Sequence, residues 1–77
     1  MDKNNQERTW TNEYGETIRV VREGKQIVVY HSDIPGERMI WVSAPVPMAV
    51  FTSKRDAAVL SASEIAFISQ AAQELNA

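Results

Sequence analysis

Apolar and polar residues alternate through the first half of the chain and settle on a helical period only near its end, so the pattern predicts strands first and one helix last. Residues 17–22, Thr-Ile-Arg-Val-Val-Arg, and 26–31, Gln-Ile-Val-Val-Tyr-His, set Ile18, Val20, Ile27 and Val29 at two-residue spacing, as half-buried strands require. Glu23, Gly24 and Lys25 separate them, and a short turn with one glycine makes the pair a β-hairpin. Upstream, Thr9, Trp10 and Thr11 are β-formers, and the next four residues, ending in Gly15, supply a turn. Downstream, Pro35-Gly36 marks a solvent turn, and residues 38–43 read as a fourth strand.

From Met39 to Ser53 the chain carries no charge, although 23% of all its residues are charged. Pro45 and Pro47 exclude a helix here, because each proline inside one costs about 3 kcal/mol. Residues 48–52 therefore read as a further strand, preceded by an extended bend. Alternation puts Met39 and Trp41 on one face and Ile40 and Val42 on the other, so this strand is apolar on both sides and belongs in the middle of a sheet. Residues 44–48, where prolines remove backbone donors, belong at an edge or an exposed bend.

The helix has a marked start. Ser61 and Glu64 stand at capping-box spacing, and Leu60 and Ile65 at that of a hydrophobic staple, which predicts a helix over 62–75. Ile65, Ile68, Ala72 and Leu75 form its core stripe with Ala71 beside them, while Glu64, Gln70, Gln73 and Glu74 fall largely elsewhere. Phe67 flanks the stripe, placed either to wrap onto the sheet edge or to meet the same helix of a second protomer. Residues 53–56 read as a loop, and 57–60 suit a short strand or a first helical turn equally. The expected fold is α+β: an antiparallel β-meander of four to five strands packed against one C-terminal helix.

At 77 residues the chain has material for one core, so the expected organisation is a polar, disordered leader over 1–7 and a single domain over 8–77. It has no cysteine, hence no disulfide and no thiolate metal site, which makes self-association an expected source of stability. The sequence shows no signal peptide and no apolar run long enough to cross a membrane, and the expected compartment is the cytoplasm. A net charge of -2 argues against sequence-independent binding to nucleic acid.

Little in the chain points to catalysis. His31 is the only histidine, and its nearest carboxylate in sequence, Asp33, stands on the same strand face as a potential orienting partner. No serine lies in a nucleophile elbow, and Gly15, Gly24 and Gly36 each belong to a turn, so no phosphate-cradling loop exists. The expectation is a non-catalytic protein with no cofactor and no metal, an accessory subunit, inhibitor or regulator that binds another protein through an apolar surface, as a homodimer. Trp41, Pro45, Val46, Pro47, Met48, Phe51 and Phe67 are the interface candidates, since aromatic residues and methionine are enriched where proteins meet. The alternative is a nucleic-acid binder with Arg19, Lys25, Tyr30, Lys54 and Arg55 as a basic, aromatic patch. A hydrolase-type enzyme built on His31 ranks third. In outline, a meander followed by an alanine-rich helix, the chain resembles small proteins of bacteria and their phages or mobile elements, a fold-level likeness that carries no activity.

Overall fold

The computed structural model describes residues 6–54 and 56–76. Strands β1 (Glu7–Thr11), β2 (Thr17–Glu23), β3 (Gln26–His31), β4 (Met39–Val42) and β5 (Met48–Phe51) form one antiparallel sheet in sequence order, followed by helix α1 (Ala62–Asn76). This is the α+β meander with one C-terminal helix that the hydrophobic pattern predicts. Of the expected leader, residues 1–5 lie outside the described residues. Strand pairing begins at Glu7, which stands opposite Val21 and reaches the Arg19 guanidinium at 3.0 Å.

Turn chemistry sets the register. Glu23 pairs with Gln26, leaving Gly24 and Lys25 as a two-residue turn. Gly24 takes φ 64° while Lys25 keeps a negative φ, the arrangement of a type II′ hairpin, whose twist matches that of its strands. In the β1–β2 turn Asn12 bonds its own neighbourhood: its Oδ1 accepts the N–H groups of Tyr14 and Glu16, each at 2.9 Å.

Residues 57–60, which suited strand or helix, are extended along the outer side of β5. Val50 bridges Ala57, Ala58 N–H donates to the Ala49 carbonyl at 2.8 Å, and Phe51 N–H donates to that of Asp56 at 3.1 Å. This segment occupies backbone groups that would otherwise form a bare sheet edge. Ala58 and Leu60 pack against the core, so Ala57 and Val59 face the other way.

One face of the sheet and one stripe of α1 make the core. Ile18, Val20, Ile27, Val29, Met39, Trp41 and Ala49 meet Ile68, Ala71, Ala72 and Leu75. The helix lies chiefly over β2, with β1 and β3 beside it, and is therefore off-centre on a five-stranded sheet. Phe67 stacks on Trp10 of the edge strand β1, ring centroids 5.4 Å apart, and closes that flank. At the end of α1 the Arg22 guanidinium donates to the Leu75 carbonyl at 3.1 Å, and Arg8 pairs with Glu74 at 3.0 Å, so cations hold the helix C-terminus where carbonyls lack partners.

Ile68 is fully buried at the centre of this contact. Ile68→Ala is expected to lower the unfolding free energy by about 2–5 kcal/mol, read from the midpoint shift in urea denaturation at unchanged slope.

Candidate functional site

The most polar part of the interior lies at the N-terminus of α1. Glu64 is only 5% exposed and His31 8%, and both sit where α1, the β1–β2 turn and the end of β3 converge. The helix start explains half of this. Glu64 N–H donates to Ser61 Oγ at 3.3 Å and Ser61 N–H donates to Glu64 Oε1 at 2.8 Å, the reciprocal capping box that the spacing predicts. Folding back to make that bond turns the carboxylate inward. Sequence alternation set Glu64 off the core face, and the structure corrects this, because the cap and His31 together replace the water it loses.

Glu64 Oε2 accepts from His31 Nε2 at 3.0 Å and from Asn12 Nδ2 at 3.3 Å. The same Asn12 amide donates to Glu16 Oε1 at 2.7 Å. On the other side of the imidazole, Asp33 backbone N–H donates to His31 Nδ1 at 3.0 Å. An accepting Nδ1 carries no proton, so the proton is on Nε2 and is donated to Glu64. The orienting partner is thus Glu64, 33 residues away, and Asp33 contributes its backbone rather than its carboxylate. Both ring nitrogens are engaged, which makes His31 a tie between β3 and α1 instead of a free base.

Glu16, His31 and Glu64 also bring ligand atoms within 4.8 Å of one another, a spacing at which metal ligands gather. The donor set does not suit an ion. A metal on Nε2 would move the ring proton to Nδ1, where the Asp33 N–H already points as a donor; metal-bound histidine needs an acceptor there. Burial pushes the Glu64 carboxyl up, but hydrogen bonds from the Ser61 backbone and from His31 outweigh it and hold it below its ordinary value.

The candidate interface residues separate. Trp41 lies in the core, and Phe51 packs partly buried against it with Lys54 5.6 Å above its ring. Phe67 is on Trp10. Pro45, Val46 and Pro47 are exposed in the β4–β5 loop. Met48 alone among the seven belongs to the sheet face opposite α1, by its pairing with Val42. That face, however, carries more apolar groups than the candidates included. A row formed by Val21, Val28, Ile40 and Val50 crosses four strands, and Val42 and Met48 widen it over β4 and β5. Extending the Val50–Ala57 register by two residues sets Val59, fully exposed, beside Met48. The alternation of residues 40, 42, 48 and 50 carries this row in the sequence, at the parity opposite to that of the aromatic Trp41 and Phe51.

The basic candidates do not form one surface. Arg19 stacks over Tyr30 at 5.2 Å yet is bound to Glu7, whose hydrogen bond raises its pKa further. Lys54 stands 3.7 Å from Glu37, and Lys25 occupies the turn at the far end of β3 from Tyr30. Arg55 lies outside the described residues. Arg38, a further cation beside this face, bonds Glu23 at 2.8 Å, and Tyr30 Oη donates to the same carboxylate at 3.1 Å. These acids already take up the charges that phosphates would need.

No helix among the described residues is long and apolar enough to cross a membrane. No family model matches the chain, and no curated protein or solved structure is significantly similar to it.

The sign of the pH dependence follows from Glu64. Its folded pKa lies below the ordinary carboxylate value, so it contributes stability above the unfolded pKa and loses it as pH falls through the folded one. Glu64→Gln is expected to cost about 1–3 kcal/mol near neutral pH and to flatten the fall in stability below about pH 5, measured by urea denaturation across pH. An unchanged acid limb in the variant would assign that fall to Glu23 and Glu74, whose carboxyls are also held low, by Arg38 and by Gln70 with Arg8 respectively.

Proposed function

We propose that this chain is a non-catalytic protein-binding module that acts through the sheet face opposite α1, with a second copy of itself as the partner. The observation that carries the reading is an apolar row on the side the helix does not cover: half-buried Val21, Ile40 and Val50 around a fully buried Val28, widened by half-buried Val42 and Met48 and by the fully exposed Val59. One helix conceals one face of a sheet, and the remaining apolar face is the kind that other sheets pack against. Its border is polar and already neutralised: Glu7 with Arg19, and Glu23 with Arg38 and Tyr30. An apolar centre within a polar rim is the anatomy of a protein interface. A face about 20 Å on a side offers roughly 400 Å², about half of the roughly 800 Å² per partner of a standard interface, so the association is reversible and concentration-dependent. The second expectation, nucleic-acid binding, gains no support, since Arg19 and Lys54 are bound to carboxylates and Lys25 stands apart from them in the β2–β3 turn.

Light scattering coupled to size-exclusion chromatography is expected to give a mass that rises from monomer toward dimer with concentration. Val42→Lys and, separately, Val59→Lys should return the monomer at every concentration with unchanged circular dichroism. Val59 is fully exposed, so its substitution tests the surface without entering the core. A wild-type protein that stays monomeric at millimolar concentration, or a Val59→Lys variant that still dimerises like wild type, removes the reading.

A further inference from the structure

On the opposite side of the sheet, where the off-centre helix leaves β4 uncovered, a cleft of about 580 Å³ opens between the last two turns of α1 and the β3–β4 strands. Its size falls in the range of small-molecule sites. Ser69, Ala72, Gln73 and Asn76 line one wall; they recur at three- and four-residue spacing and so form a single stripe of the helix. Ile27, Ile40 and Trp41 belong to the strand wall, and Lys25 and Pro47 also line the cleft.

Two observations give the cleft a chemistry. Trp41 is 91% buried by its 9% exposure, yet its indole N–H meets no acceptor among the described residues and is not sealed from solvent. Trp41 thus offers the cleft a covered apolar ring together with a donor that solvent reaches, the pairing that suits a ligand with an apolar body and an acceptor oxygen. Second, Lys25 has no ion-pair partner among the described residues, whereas Arg8, Arg19, Arg38 and Lys54 each have one. Among the described residues no acid lines the cleft, although acids outnumber bases in the chain as a whole. The helix C-terminus would oppose an anion here, but the Arg22 guanidinium on the Leu75 carbonyl offsets it.

The geometry points to a binding site for a small organic carboxylate with an apolar body. The body lies against Ile27, Ala72 and Pro47, the carboxylate faces Lys25, and acceptor oxygens take the Trp41 indole N–H and the side-chain amides of Gln73 and Asn76. This site opens on the helix side of the sheet and shares only Ile40 with the apolar row assigned to self-association, and Lys25, Trp41, Gln73 and Asn76, which report on it, lie outside that row, so either assignment can fail without the other.

Titration of the nitrogen-15-labelled protein with 4-phenylbutyrate tests it. The expected result is a saturable shift of the Trp41 indole cross-peak in the low-millimolar range, together with the Gln73 and Asn76 side-chain amides. The Trp10 indole, stacked on Phe67 at the other flank of the helix, should not move. The neutral analogue 4-phenylbutanol should bind about three- to fivefold more weakly, and Lys25→Gln should weaken the acid by the same factor while leaving the alcohol unchanged. Lys25 is exposed in the hairpin turn, so this variant keeps the fold. Equal shifts at both indoles, no saturable shift at Trp41, or an acid affinity indifferent to Lys25→Gln would each overturn the assignment.

Discussion

The Glu64 carboxylate is the point on which the arrangement of this domain turns. A carboxylate that is 5% exposed survives in the interior only if its oxygens are taken up by donors, and here each donor belongs to a different element. Ser61 begins α1, Asn12 shapes the β1–β2 turn, and His31 ends β3. The same bonds that start the helix therefore fix where it lands on the sheet. Apolar packing between Ile68, Leu75 and the strands supplies the larger share of the driving force, but such packing is tolerant of sliding, and directional bonds to a buried charge are not. Arg22 and Arg8 do the corresponding work at the other end of the helix with exposed or half-exposed groups.

Fixing one helix over β2 has two geometric consequences. A five-stranded sheet about 20 Å wide is broader than a helix of about 10 Å, so β4 and β5 extend beyond its cover. Leu60, Ala58 and Phe51 fill part of that space and the cleft beside Trp41 is what remains. The second consequence is the opposite face, which has no covering layer among the described residues. Strand β4 is apolar on both sides because it must meet the helix-side core through Met39 and Trp41 while Ile40 and Val42 lie on the uncovered side. The two binding surfaces proposed for the protein are thus two sides of one strand.

Several local features were legible because local chemistry decides them. The Gly24 hairpin, the Asn12 turn, the capping box and the alternation of β2 and β3 each depend on residues within a few positions of one another. Phe67 was read as flanking the core stripe with two possible neighbours, and the partner that claims it, Trp10, comes from the opposite end of the chain. Glu64 was read as a cap and placed off the core; that its second oxygen meets His31 and Asn12 depends on contacts separated by 33 and 52 residues. Trp41 and Phe51 looked like interface residues by type, but parity relative to the helix puts them inward, and the less conspicuous Ile40, Val42 and Val50 outward.

The sequence by itself determined the succession of elements, the start of the helix, the double-sided apolar character of β4 and the absence of any assembled phosphate loop or thiolate centre. These rest on backbone propensity, side-chain period and composition, which need no partner from elsewhere in the chain. Only the tertiary structure decided which face of the sheet α1 covers, how far off-centre it lies, that residues 57–60 run extended beside β5, and that His31 is held at both ring nitrogens. Each of these is a matter of register between segments distant in sequence, where a shift of one residue exchanges the two faces of a strand, and the buried bonds to Glu64 select one arrangement.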